Sequence, residues 1–162
     1  MDWNYIKILL IHLAFPLPFT NWIMACITSP TFSLLINGSA TPFVHAERGL
    51  KQGCPLSPLL FLIVMEGLSK LINYDKLNGR LTSLKITEQC FLTHLLFVDD
   101  VIIFLDGSIR DSISFDKILA SFSKATGMMA NDSKLTISQV FTSAQESELA
   151  VQRFPYNTRP LE

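Results

Sequence analysis

The chain has 162 residues and a formal net charge of -1, from 13 Lys and Arg against 14 Asp and Glu. That length suits one ordinary domain, and the charge balance excludes a module whose affinity for nucleic acid rests on global positive charge. Apolar residues make up 49% and charged residues 17%, the latter below the roughly 25% typical of soluble domains. This composition excludes a disordered chain and leaves apolar surface in excess, suited to a partner or to a further part of the protein.

The three cysteines, Cys26, Cys54 and Cys90, are widely spaced. Without a CxxC or a Cys/His cluster they support neither a zinc site nor a disulfide framework. A reducing, intracellular compartment is the plainer expectation. Residues 8–15 are apolar except for His12, but Lys7 alone, with Asp2 nearby, makes a poor basic start for a signal peptide. The run 59–65 ends at Glu66 and falls short of the ~20 residues that span a bilayer. No membrane association is expected.

In chain order, Trp3, Ile6, Leu10 and Leu13 recur at helical spacing, with Asp2 placed to cap the helix and Pro16 and Pro18 to end it. A second short helix fits 21–27. The period then changes: 32–36, Asn37-Gly38 and 41–44 predict a hairpin with an Asn-Gly turn. A loop with two glycines and two prolines fills 47–58, and Ser57-Pro58 reads as a helix start. The helix that follows, 58–74, is apolar almost all round in its first two turns, which places it in the middle of a core. A turn at Asn78-Gly79 and a strand at 84–87 come next. Residues 91–105 form a strand-like apolar run broken by Thr93, His94 and Asp99-Asp100 and closed by Asp106-Gly107-Ser108. An amphipathic helix at 111–126 presents Ile118, Leu119, Phe122 and Ala125 and stops at Gly127. A strand is expected at 135–140. The organisation read from this pattern is one domain over 1–140 and a weakly structured tail over 141–162.

Asp99 and Asp100 stand between Leu95-Leu96-Phe97 and Val101-Ile102-Ile103-Phe104. Ionised carboxylates inside an apolar run are costly without partners. One reading is a solvated hairpin turn, although the Gly that primed turns favour is missing. The other is a hairpin tip presenting hard oxygen ligands to a divalent cation such as Mg²⁺. The loop Arg48-Gly49-Leu50-Lys51-Gln52-Gly53 carries glycines that let a backbone approach a ligand, two cations suited to phosphate and an amide that can hydrogen-bond. His12, His45 and His94 share no metal spacing and read as structural or surface residues.

Together, RGLKQGCPLSPLLF, HLLFVDDVIIF and the helix end ATGMMANDSK resemble the reverse transcriptase domain of non-LTR, LINE-type retrotransposons, particularly plant elements. FSLLINGSATPFV is similar to the segment that precedes the loop in that family, and the resemblance runs from residue 3 to about residue 138. It implies an α+β, polymerase-palm-like fold in which a small antiparallel sheet packs on helices. It implies Mg²⁺ at Asp99 and Asp100 as catalytic and metal-binding residues. Arg48, Gly49, Lys51, Gln52 and Gly53 would face nucleotide and template, and Lys134 the nucleotide phosphates. The implied partners are an RNA template, a DNA primer and deoxynucleotides. Val98 departs from the family's usual Ala. In the family a further metal-binding Asp lies four residues before the Trp matched by Trp3, a position before Met1. Asp2 reads as a cap instead, and Asp116 in Phe115-Asp116-Lys117 as a solvated helix residue. The palm is therefore expected to be incomplete at its N-terminus, with half a metal site and no activity alone. An exposed strand edge at 95–97 or 102–104 is expected to drive self-association. The rival readings are a non-enzymatic remnant that binds nucleic acid weakly and a small secreted or membrane-associated protein.

Overall fold

In the computed structural model, which describes residues 1–131, 134–139 and 157–160, Asp2 caps the first helix, α1 (Trp3–His12). Its Oδ1 accepts from the backbone N–H of Asn4 at 2.7 Å and of Tyr5 at 3.2 Å, satisfying donors that have no partner within the helix. Pro16 and Pro18 do more than end α1. Pro16 is the N-cap residue of α2 (Leu17–Thr28) and Pro18 sits in its first turn, where a missing N–H costs nothing. The second helix therefore starts earlier than the expected 21–27.

The predicted hairpin forms in two steps. β1 (Thr31–Phe32) pairs antiparallel with β4 (Val44–His45), and beyond them β2 (Leu35–Ile36) pairs with β3 (Ser39–Ala40). Asn37 and Gly38 take φ of 50° and 82°, the two left-handed positions for which an Asn-Gly turn is suited.

The central helix, α3, runs Leu56–Leu77 with Pro55 at its N-cap. Ser57 is not the cap. It lies inside the first turn, and its Oγ donates to the Lys51 carbonyl at 2.7 Å. Leu60, Val64, Met65, Leu68 and Ile72 are buried, but Leu59 is 59% and Leu62 52% exposed. The expectation of burial all round fails because α1 and α4 (Ile109–Thr126) pack against α3 and leave its opposite side uncovered. The 22 residues of α3 also exceed the apolar run 59–65. By length and composition this helix is long enough to cross a membrane, with 33% of its apolar window buried, although Glu66, Lys70, Asp75 and Lys76 interrupt it. Gly67 leaves room for α1, because a Cβ there would collide with Tyr5 Oη. The Tyr5 ring meets Phe122 edge-on, with centroids 6.2 Å apart, so one aromatic pair joins α1 to α4 across α3.

β5 (Leu84–Lys85) pairs with β6 (Phe91–Leu92), and β7 (His94–Phe97) with β8 (Asp100–Ile103), both antiparallel. α4 ends at Gly127 with φ 66°, as its sequence predicts, but starts at Ile109, two residues before the expected 111, because the Ser108 side chain caps it by accepting from Asp111 N–H. Ile118 and Phe122 of its expected apolar face are buried, whereas Ala125 is exposed. The core gathers Ile6, Leu10, Ile23, Ile27, Leu60, Val64, Leu68, Ile72, Leu81, Ile118 and Phe122.

The architecture is α+β, with four helices and short two-stranded sheets among the described residues. The chain divides into two compact units, Met1–Met128 and Met129–Glu162. In the second, β9 (Thr136–Gln139) pairs in parallel with β10 (Asn157–Pro160). The rest of the expected tail lies outside the described residues.

Asp111 is fully buried. Its carboxylate accepts from Thr82 N–H at 2.9 Å and Thr82 Oγ1 at 3.2 Å, fixing the entry to β5 on the first turn of α4. Asp116 on the same helix is exposed. Truncation of Asp111 leaves the part-buried Thr82 N–H without its partner and removes charge-assisted bonds, each a matter of about 1–3 kcal/mol. Asp111→Ala should therefore lower unfolding free energy by about 2–3 kcal/mol on that scale, whereas Asp116→Ala should stay within about 0.5 kcal/mol, as exposed substitutions do. Urea denaturation of the two variants checks this, and equal midpoints would refute it.

Candidate active site

Leu96 and Ile103 pack against the core and anchor the β7–β8 hairpin. Directly opposite residues share a face of an antiparallel pair. The register Leu95↔Ile102 and Phe97↔Asp100 thus places Leu95, Phe97, Ile102 and Asp100 on the other face. Leu95 is 48%, Ile102 56% and Phe97 77% exposed. Val98-Asp99 is the two-residue turn, with Phe97 and Asp100 as its closing pair. Val98 has φ 54°. A β-branched residue in the left-handed region is a strained outlier, so the turn forms without the Gly that its geometry favours.

Both predicted carboxylates are therefore at the tip, Asp99 in the turn and Asp100 at the first position of β8, and both are exposed. Their hard oxygens suit Mg²⁺, which keeps several waters and takes one or two carboxylates from protein. Among the described residues no group of three or more His, Cys, Asp or Glu is placed to enclose a metal. The donor set fits an open, hydrated site and not a closed one. His94, further down β7, bonds through its ring nitrogens to Ser69 Oγ at 2.6 Å and Thr93 Oγ1 at 2.9 Å. Burial holds its pKa below the ordinary value, against the opposing pull of Glu66. That is the structural role its spacing suggested.

The loop with Arg48, Gly49, Lys51, Gln52 and Gly53 is fixed at two points. Gly49 N–H donates to the Met1 carbonyl at 2.8 Å, and Trp3 Nε1 donates to the Gly49 carbonyl at 2.6 Å. At the other end the Lys51 carbonyl accepts from Ser57 Oγ and from Cys54 N–H at 3.3 Å. Gly49 and Gly53 have φ of 89° and 78°, conformations that other L residues adopt only with strain. Arg48, Lys51 and Gln52 are exposed, and neither Arg48 nor Lys51 is in an ion pair among the described residues. The Cys54 thiol lies below its ordinary value, chiefly because the Leu56 N–H at the start of α3 favours the thiolate, with Ser57 and Lys51 adding to the effect.

The hairpin and the loop rest on one core, through Leu96 and Ile103 for the first and Leu50 and Leu56 for the second. Lys134 belongs to the second unit, where it is exposed in a turn and its N–H donates to the Asn131 carbonyl at 2.9 Å. A concavity of about 500 Å³ between α1, α3 and α4 is lined by Tyr5, Leu9, Lys70, Tyr74 and Phe122 and by no residue of the 48–53 loop or the hairpin tip. A smaller cleft of about 50 Å³ brings Arg48, Gly49 and Lys51 together with Trp3 and Phe32. Sequence reasoning passed over Trp3 and Ser57 as loop supports. Both bonds join helix residues to loop carbonyls, and no periodicity or motif signals them.

Residues 8–153 match the family model described as reverse transcriptase (RNA-dependent DNA polymerase). The chain is 32% identical over 114 residues to a retrovirus-related Pol polyprotein from the type-1 retrotransposable element R2 of Popillia japonica, a match covering 70% of this chain and 18% of that protein. It is 42% identical over 67 residues to an uncharacterized mitochondrial protein of Arabidopsis thaliana, covering 41% of this chain and 55% of the other. The chain thus spans less than two thirds of the length of both relatives. With a family model matching residues 8–153 of its 162, the chain belongs to the reverse transcriptase (RNA-dependent DNA polymerase) family.

Proposed function

We propose that this chain is the palm portion of an RNA-directed DNA polymerase and contributes one half of its metal site. The observation that carries this reading is the pair Asp99-Asp100 at the tip of a core-anchored hairpin, in a chain of the reverse transcriptase family. A bound divalent metal supplies charge neutralisation on the reacting phosphate oxygens. Asp99 and Asp100 hold it with their carboxylate oxygens. Arg48 and Lys51 meet phosphates of nucleotide or template, Gln52 hydrogen-bonds there, and Gly49 and Gly53 let the backbone come close. Lys134 supplies a further exposed cation suited to phosphate. The template is RNA, the primer DNA and the substrate a deoxynucleotide.

Transfer between two metals needs ions about 3.5–4 Å apart, clamping the attacking and leaving oxygens. Asp99 and Asp100 at one hairpin tip do not by themselves build that clamp, so templated transfer by the chain alone is expected to stay at background. Mn²⁺ titration should give binding in about the millimolar range of incompletely enclosed oxygen sites, weakened at least about tenfold in Asp99→Asn with Asp100→Asn, the scale of losing a metal-site group. Equal titrations of the two proteins would refute the metal assignment. Primer extension on an RNA template should stay at background for the chain alone. Templated extension abolished by Asp99→Ala would overturn the half-site reading.

The apolar outer face of the hairpin belongs to the same proposal. Each sheet among the described residues of Met1–Met128 is two-stranded, so β7 and β8 each have an edge without a further strand, beside exposed Leu95, Phe97 and Ile102. Unpaired apolar edges favour association between chains. Light scattering of the purified chain should show species larger than a monomer at about 100 μM, within the range where exposed edges drive aggregation. A monodisperse monomer at that concentration would rule this out.

A further inference from the structure

Arg48 and Lys51 flank a residue that does not hold its own position. Gly49 has φ 89° and open space where a Cβ would stand, so neither side-chain packing nor a preferred backbone well fixes it. What fixes it comes from 46 residues earlier, where the Trp3 indole N–H donates to its carbonyl at 2.6 Å. The Met1 carbonyl receives its N–H at 2.8 Å. Trp3 is itself held, because it opens α1 directly after the Asp2 cap, and Asp2 N–H donates to the Thr126 carbonyl at the end of α4 at 2.6 Å. The same indole lines the small cleft that also contains Arg48, Gly49 and Lys51. From the other side, Ser57 Oγ holds the Lys51 carbonyl. The loop is thus strung between α1 and α3, with exposed Arg48 next to the Gly49 anchor and exposed Lys51 carrying the other.

We propose that Trp3 is a positioning residue, whose indole N–H sets the Gly49 peptide and thereby aims Arg48 and Lys51 at the phosphates of a bound nucleic acid. This inference rests on the proposed role of the loop in facing template and nucleotide. Trp3 itself touches no phosphate. It acts by removing the freedom that Gly49 gives the backbone, so that both cations meet neighbouring phosphates without first having to be ordered.

The experiment measures binding of an RNA–DNA hybrid duplex to the 162-residue chain as a function of salt. Each phosphate neutralised contributes about 0.9 to the slope of log affinity against log salt on B-form duplexes, and the hybrid is used as a relative scale. Arg48→Ala with Lys51→Ala should lower the slope by about 2. Trp3→Phe, which keeps a ring and loses the N–H, should weaken binding about fivefold and lower the slope by about 1. Placed in the Arg48→Ala, Lys51→Ala background, the same substitution should change neither, since coupled positions are non-additive. Benzothienylalanine at position 3 keeps the shape of the indole and lacks its N–H, and it should behave as Trp3→Phe does even if the latter is poorly folded. A merely structural role would lower the unfolding midpoint and leave the slope alone. Unchanged affinity and slope for both position-3 variants, with a reduced slope for Arg48→Ala, Lys51→Ala, would overturn the inference and leave the loop's role standing. Binding without salt dependence in the unaltered chain, or a slope unmoved by Arg48→Ala with Lys51→Ala, would overturn the loop's role and this inference with it.

Discussion

The first turn of α1 carries the constraint on which the rest of the larger unit depends. Three consecutive residues close two junctions there, one to the loop and one to the end of α4. The Met1 carbonyl and Trp3 indole hold Gly49, the Asp2 amide meets the last turn of α4, and the Asp2 carboxylate caps the helix that carries them. Individually such bonds contribute about 0.5–1.5 kcal/mol. Their placement matters more than their sum. The groups they satisfy are a loop peptide with a glycine backbone and the carbonyl end of α4, and each would otherwise have only solvent for a partner. Behind them, Ile6, Leu9 and Leu10 commit the same helix to the core, so the position of the loop is inherited from core packing.

The hairpin follows a different logic. It is held by one face only, through Leu96 and Ile103, while Leu95, Phe97 and Ile102 look outward. Burial of apolar area stabilises by about 25 cal/mol per Å², so a ribbon that buries one face forgoes much of what its sequence offers. Isolated two-stranded hairpins are marginal at best. This one persists because His94 adds polar bonds to Ser69 on α3 and to Thr93, and because Phe104 N–H donates to the Thr93 carbonyl at 2.9 Å, extending the ladder by one pair. The apolar excess noted in the composition is visible here as exposed surface. It recurs on the earlier hairpin, where Leu34, Leu35, Ile36, Phe43 and Val44 are all exposed.

Features decided within a few residues were legible in the sequence. The Asp2 cap, the Asn37-Gly38 turn and the Gly127 stop each depend on one side chain and its immediate backbone. Asp99-Asp100 at a hairpin tip was legible for the same reason, since two charges break an apolar run at its middle. The reading failed where a distant partner intervened. Ser57-Pro58 looked like a helix start, but the hydroxyl serves Lys51 and the helix begins at Leu56. Asp111 finds its partner in Thr82, 29 residues away, a pairing that no local pattern announces. The burial of α3 on one side was hidden for the same cause: periodicity reports how apolar a helix is, and only the number of neighbours decides how much of it is covered.

Val98 shows how such distant and local demands meet at the site. At φ 54° a valine is in a region that costs L residues roughly 1–2 kcal/mol. A glycine would avoid that cost but would bring back the backbone freedom lost on folding, itself about 0.5–1 kcal/mol against alanine within regular structure. The two penalties are of similar size, so the local sequence alone does not select the turn. What selects it is the ladder on either side, with Phe97 paired to Asp100, Leu96 to Val101 and His94 to Ile103, whose inner residues are already committed to the core. A one-residue slip would send Leu96 and Ile103 outward and exchange the faces of the whole hairpin. Register is therefore fixed from the core outward, the turn must close in two residues, and Val98 is forced left-handed so that Asp99 occupies the turn and Asp100 the first rung. The strain at the tip is the local cost of a position for the two carboxylates that is set by the helices beneath them.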